Sequence, residues 1–407
     1  MKKSFLLLNL VLTGLLLCTT CFSQTTDVPG WRGANRDGKF PGFKAPATWP
    51  AELTKSWEVT VGLGDASPVL VNDRFYLLVS QDSTEMLLCL NAKSGKQIWK
   101  TSINKAPKVT GGGASHPGPR STPYVSNGKV FTLGAGGVVA CHDAKKGKLI
   151  WKNESYTTEV PQFFTSSSPL VTDKLCILPL GGKEHGLVVA FDVNSGTEVW
   201  KVEGIPCTYS SPMFMDLGET FIVNQSETAL VGITLAGQVI GEIPTPCQTR
   251  FYNSSTPVID GQNIYVAGAG TGTRMLQVYN EGGPNYSEVW NNSKLGVSFN
   301  TPVLKDGFLY ANDAKFGYLY CLNAQTGETA WADTVKLNRF ASMLDLGTAM
   351  LSLAGNATMV VFEPNGSAYK QLAKYKVSDT EIYAHPLAAG NKIYVKDKEK
   401  LTCWEAR

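Results

Sequence analysis

The stretch CLNAKSGKQIW (Cys89 to Trp99) returns far downstream as CLNAQTGETAW (Cys321 to Trp331), and looser copies, CHDAKKGKLIW and FDVNSGTEVW, end at Trp151 and Trp200. In each copy an Asn or Asp is followed four residues later by Gly and four after that by Trp: Asn91/Gly95/Trp99, Asp143/Gly147/Trp151, Asp192/Gly196/Trp200 and Asn323/Gly327/Trp331. Asn and Asp side chains fold back onto turn backbone, and Gly supplies the positive φ at the turn exit, so each copy is a hairpin. Alternating apolar residues on both flanks, as in LVVAFDV and TEVWKV, read as half-buried strands.

A second marker precedes each copy, a small hydroxyl residue or its substitute followed by proline: Ser67-Pro68, Thr122-Pro123, Ser168-Pro169, Ser211-Pro212, Thr256-Pro257, Thr301-Pro302 and His385-Pro386. Proline lacks a donor and tolerates the first position of a strand, so each pair marks a strand entrance. The prolines stand about 45 residues apart, a spacing that suits propeller blades, except for a last gap about twice as long. That gap holds FASMLDLGTAMLSLAGNATMVVFEPNG, a further unit with Ser342 where proline would stand. The count predicts an all-β, eight-bladed β-propeller of four-stranded antiparallel blades.

The two ends predict how the ring closes. KSWEVTV (Lys55 to Val61) has the form of a Trp-bearing final strand with no partners before it, whereas HPLAAGNKIYVKDKEKLTCWEAR lacks a final strand. The N-terminal strand is expected to complete the C-terminal blade, which removes exposed edges. Trp57, Trp99, Trp151, Trp200, Trp290 and Trp331 fall at the fourth-strand position and are read as packing between blades.

Residues 1–23 read as a cleavable signal peptide: Lys2 and Lys3, an apolar core FLLLNLVLTGLLL, and a small-residue exit before Gln24. Leu17 and Thr20 precede Cys18 and Cys21 where a lipid-modified cysteine would need a small residue, so the leader favours a periplasmic or secreted protein over an outer-membrane lipoprotein. Residues 24–54, with four prolines and the aromatics Trp31, Phe40, Phe43 and Trp49, read as an extended strap, and 55–407 as the propeller. After the leader no apolar span is long enough to cross a membrane. Loss of the leader lowers the formal charge from +3 to +1, with no basic run to attract nucleic acid. The chain is expected to be a monomer.

Cys89, Cys141, Cys321 and Cys403 share one repeat position on the third strand, and Cys176 sits in an apolar second strand, so these five read as small buried hydrophobes. Cys207 and Cys247 lie in the lead-ins of neighbouring blades, and whether they form a disulfide stays open. The four histidines share no metal-ligand spacing. DVNSGTE (Asp192 to Glu198) imitates a Ca²⁺ loop but lacks the distal Glu. GAGTG (Gly268 to Gly272) opens no helix and reads as a hairpin turn.

The strand entrance followed by LNAKSGKQIW resembles the pyrroloquinoline-quinone (PQQ) type propeller repeat, shared by quinoprotein alcohol dehydrogenases and the outer-membrane assembly lipoprotein BamB. WRGANRDG (Trp31 to Gly38) and GPRSTP (Gly118 to Pro123) are similar to segments of exported bacterial PQQ-like propeller proteins. The dehydrogenases hold PQQ with a vicinal Cys-Cys disulfide, a stacking Trp and a Ca²⁺ ion bound by acidic and amide side chains. The part after the leader has no adjacent cysteines, so PQQ with calcium is not expected to accompany the resemblance, nor is any other cofactor or metal.

Propellers bind ligands at a channel mouth, where the lead-ins to the inner strands converge. Here the lead-ins bring Asp65, His116, Arg120, Tyr209, Arg250, Tyr252, Asn253, Asn300, Arg339, Tyr383 and His385 to one place, the expected ligand-binding set. Arginines among amides and phenols suit an oxyanion, so an acidic glycan or peptide, or an envelope protein, is the expected partner. The reading is a non-catalytic binding or assembly module. The competing reading is an enzyme, either a quinoprotein-type oxidoreductase or a lyase in which His116, His385 or a tyrosine removes a proton beside a uronate carboxylate.

Overall fold

The computed structural model describes residues 26–246, 253–280 and 284–407. Eight four-stranded antiparallel sheets follow one another along the chain. The first is Val69–Val71, Arg74–Gln81, Thr84–Asn91 and Gln97–Lys105, and the same up-and-down order recurs through the seventh, which ends at Gln371–Lys376. The eighth consists of Leu387–Ala389, Lys392–Lys396 and Lys400–Glu405, and its outer strand is Thr54–Thr60, paired antiparallel to Lys400–Glu405. The ring is therefore closed by the N-terminal strand, and the unit around Ser342 is the seventh blade, with its inner strand at Ala341–Asp345.

The repeated Asn/Asp, Gly and Trp act together across blades. Asp192 Oδ1 accepts from the amides of Asn194 and Ser195, which folds the hairpin, and Asn91 and Asn323 do the same in their turns. The turn glycine then lies on the indole of the blade before. At Gly147 φ is +70°, and a Cβ there would stand 2.5 Å from the ring of Trp99. Only glycine meets both the left-handed backbone and the close approach. The indole N–H of Trp151 donates to Val193 O (3.2 Å), Trp200 to Leu235 O (2.9 Å), Trp290 to Ala324 O (3.0 Å) and Trp331 to Asn365 O (2.6 Å). Four outer strands thus latch by a hydrogen bond onto the turn of the next blade, whereas the indole N–H groups of Trp57 and Trp99 are buried without a partner.

The serines and threonines before proline also work between blades. The amide of Ser67 donates to the hydroxyl of Thr122, Thr122 to Ser168, Ser168 to Ser211, Ser211 to Thr256, Thr256 to Thr301, and His385 to Ser67, at 2.8–3.2 Å. A chain of hydrogen bonds so rims the channel, and satisfies inner-strand amides that no ladder partner reaches. Cys89, Cys141, Cys176, Cys321 and Cys403 are all buried, as small apolar side chains in the second and third strands.

The segment from Thr26 crosses the ring at the inner-strand exits. Val28 bridges to Leu70, Lys39 to Asp345 and Phe43 to Gly390. Between these points Arg32 and Arg36 enter the channel, 3% and 5% exposed. Arg32 donates to the carbonyls of Thr301 (2.8 Å) and Pro302 (2.9 Å), and Arg36 to those of Pro169 (2.8 Å) and Ser168 (2.9 Å). Both guanidiniums lie near the ring of Trp31, and burial lowers both pKa values to about 10, so both stay charged at neutral pH. WRGANRDG fills one end of the channel.

Candidate functional site

The opposite end is built from the lead-ins. Gly64, at φ +124°, lets the lead-in of the first blade press against that of the second, where Asp65 and Ala66 both donate to Pro119 O (2.9 and 3.1 Å). Lys396, with no exposed surface, fixes the same turn from below: its ammonium donates to Gly64 O (2.8 Å), Asp397 O (2.7 Å) and Lys398 O (3.1 Å). Burial pulls its pKa down to about 8, against Asp65, Asp397 and Glu399.

Asp65, so placed, meets His116. The imidazole Nδ1 lies 3.2 Å from Asp65 Oδ1 and Nε2 lies 3.0 Å from Glu381 Oε2. The hydrogen bond with Asp65, ahead of the contribution from Glu381, raises the His116 pKa above its ordinary value and outweighs burial. The ring stacks on Tyr383 (centroids 4.1 Å apart), Tyr383 on Phe340 (4.6 Å), and Phe340 on Phe299 (4.2 Å, 4° between planes). The Arg339 guanidinium, on an exposed residue, sits 5.5 Å from Phe299 and 5.6 Å from Phe340. Four lead-ins thus form a ladder of rings with a cation at one end and two carboxylates at the other. Burial, Glu381 and Asp65 raise the Tyr383 pKa to about 12, which keeps its hydroxyl a hydrogen-bond donor at neutral pH.

Of the residues expected here, Asp65, His116, Arg339 and Tyr383 come together. The others have different duties. Arg120 donates to the carbonyls of His116 (2.9 Å) and Gly118 (3.2 Å), so it shapes the loop that carries His116 rather than facing outward. Asn253 spans the carbonyls of Ser226, Glu227 and Thr245, and Asn300 joins Asn312 O and Arg339 O. Tyr209 accepts from the amide of Phe163 (3.1 Å) and packs on that ring. His385 is buried against Phe40 and Trp31 of the strap, so its ring belongs to the filled end of the channel. Its Nδ1 lies 2.8 Å from Pro386 O, and burial lowers its pKa to about 3. Arg250, Tyr252 and Cys247 lie outside the described residues. Phe299, Phe340 and Glu381 were not anticipated, although each stands in or beside a lead-in already singled out.

A planar, tricarboxylic quinone with Ca²⁺ does not fit this mouth. The rings that could stack on it already stack on one another, and Arg120 is committed to carbonyls. The two nitrogens of His116 face carboxylates on opposite sides of the ring, so the three groups cannot converge on one ion. No cluster of metal-binding side chains occurs among the described residues.

Curated relatives match in part. Polyvinylalcohol dehydrogenase of a Pseudomonas species is 28% identical over 226 residues, 48% of this chain and 33% of that protein. The outer membrane protein assembly factor BamB of Burkholderia pseudomallei is 29% identical over 152 residues, 37% of this chain and 33% of the relative. The matched stretch thus spans a third of the length of either relative. Among solved structures, BamB of Moraxella catarrhalis superposes with a TM-score of 0.65 at 13% identity, covering 87% of this chain and 98% of that one. The quinohemoprotein alcohol dehydrogenase of Comamonas testosteroni gives 0.70 at 13% identity, covering 94% and 81%. At these identities the structural likeness establishes the fold. Residues 48–183 and 83–333 match the family model described as outer membrane protein assembly factor BamB, and the chain belongs to that family.

Proposed function

We propose that this protein is an exported, non-catalytic binding or assembly module that takes an acidic peptide or glycan, or an acidic patch of an envelope protein, at the ring ladder. The observation that carries the reading is Arg339, an exposed cation beside the stacked pair Phe299 and Phe340 at the end of the channel left open by the strap. The ring pair confines the guanidinium while its N–H groups can still bind an oxyanion at two points. The family to which the chain belongs, described as an assembly factor, supports a partner-binding role.

The state of the histidines supports the same reading over catalysis. His116 has both nitrogens engaged by carboxylates, and His385 faces the strap, so neither stands as a ready general base. The test is thermal unfolding of the protein with uronate oligomers, with acidic peptides, and with PQQ plus Ca²⁺. A ligand at a hundred times its Kd adds about 2.7 kcal/mol. The expected result is a rise in Tm with an acidic ligand that disappears in Arg339→Gln. A rise that needs PQQ and Ca²⁺ together would overturn the proposal in favour of an oxidoreductase, and an unsaturated product from uronate oligomers would overturn it in favour of a lyase.

A further inference from the structure

The tryptophan latch has one register throughout the ring. In the first, second, third, fifth and sixth blades the indole stands on the outer strand, just after a bulge, opposite Cys89, Cys141, Ala190, Met275 and Cys321. Trp57 stands in the same way opposite Cys403. Two blades lack it. In the fourth blade the position is Gly241, opposite Gly232, and in the seventh it is Ala373, opposite Val361.

The chain fills the second vacancy itself. Two residues along the same face from Ala373, Tyr375 is 8% exposed and donates its hydroxyl to Pro50 O (2.7 Å). Trp49 and Leu53 of the strap pack into the same apolar cluster, and Trp49 stacks on Phe43. An extended, proline-bracketed segment with an aromatic anchor thus covers the junction that has no indole of its own.

Nothing in the described residues does the same for the fourth blade. A groove of about 280 Å³ runs where the indole would lie, lined by both Gly232 and Gly241, with Leu230 and Ile243 on one wall. The other wall is Val278 and Tyr286, from the long hairpin of the fifth blade, and Tyr286 is 43% exposed. Two lining side chains carry charge, Glu219 and Glu242, and both residues are exposed and acidic.

We propose that this groove is a docking site for a partner protein, which inserts a tryptophan or phenylalanine carried on an extended, basic segment. The form of the occupant follows from the way residues 43–53 serve the seventh blade, and its charge from Glu219 and Glu242. An aromatic anchor in an apolar slot supplies most of the affinity of such contacts, with charged rims setting the partner. This site is distinct from the ring ladder and does not depend on it.

The test is fluorescence anisotropy of the whole chain with a labelled peptide, Lys-Lys-Lys-Ala-Pro-Ala-Thr-Trp-Pro, which copies Lys44 to Pro50 behind two added lysines. Saturable binding is expected. Replacement of the peptide tryptophan by alanine weakens it by about tenfold or more. Gly241→Trp, which puts the indole back, abolishes binding and raises Tm. Should that variant not fold, Glu242→Lys gives an independent reading, a severalfold loss that salt reproduces in the parent protein. No saturable binding to the parent, or binding indifferent to both the peptide tryptophan and Glu242→Lys, overturns the proposal. A concentration-dependent dimer in light scattering that Gly241→Trp dissolves would also overturn it, by giving the groove to a second copy.

Discussion

The two ends of the channel use the same side chains to opposite ends. At the strap end Arg32 and Arg36 are buried, each with two or more N–H groups spent on carbonyls, and His385 is held neutral between aromatic rings. At the ladder end Arg339 is exposed on its rings, and His116 is favoured as a cation by carboxylates. The lesson is that residue type does not decide role; what decides it is whether the donors are already consumed by the protein's own backbone.

The strongest way to break this contrast is Arg32→Ala. Loss of the guanidinium leaves the carbonyls of Thr301 and Pro302 buried without a donor, and about 3–5 kcal/mol of stability should go with it, read by urea unfolding. A cost below about 1 kcal/mol would show that the strap is an ornament of the ring.

The histidines give the next largest effect, with opposite signs. The folded pKa of His385 is about 3, below the ordinary 6.5, so its contribution is present above pH 6.5 and is lost as pH falls from there toward 3. His142, buried without a partner and lowered to about 4, adds to the same acid limb. His142→Leu should flatten that limb by roughly 3 kcal/mol between neutral pH and pH 4. His116 runs the other way: its folded pKa is raised, so its contribution is full below 6.5 and is lost as pH rises through the folded value. Asp65, Glu381 and Tyr383 face its ring directly, with Lys396 beneath the Gly64 turn, and His116→Gln should cost about 1 kcal/mol at pH 6 and little at pH 9. Equal losses at both pH values would remove the imidazolium from the account.

Arg120→Gln sharpens the contrast on a smaller scale. Its ties to His116 O and Gly118 O predict a loss of about 1 kcal/mol and a displaced His116 resonance in NMR. The smallest expected change is Arg339→Gln, within about 0.5 kcal/mol in stability yet about tenfold or more in affinity for an acidic ligand. A large stability loss there would place Arg339 with the buried arginines.

The architecture was legible because it is written eight times. Asn91/Gly95/Trp99 and its copies state a turn, a positive φ and a packing surface in one phrase, and Lys55 to Val61 is a fourth strand without a blade. Sequence also placed Asp65, His116, Arg339 and Tyr383 at one mouth, since each precedes a strand entrance. What it did not separate was Arg120 from Arg339, or His385 from His116. Those differences are set by backbone carbonyls and by the strap, whose residues lie hundreds of positions away in sequence, as with Arg32 and Thr301. Phe299 and Phe340 were missed for a related reason: an aromatic beside a strand entrance has the appearance of core until its stacking partners on other blades are known.

The seam at the eighth blade also sets a timetable. Thr54–Thr60 has no partner in its own neighbourhood of sequence, and its ion pair from Glu58 to Lys400 spans 342 positions. Closing a loop of that size costs about 5 kcal/mol of chain entropy, recovered only when the last blade forms. During synthesis the N-terminal strand therefore waits as an open edge until Lys400–Glu405 emerges, while the seven other blades can pair locally as they appear. The expected order is therefore local blades first and ring closure last, with the seam the edge that stays open longest.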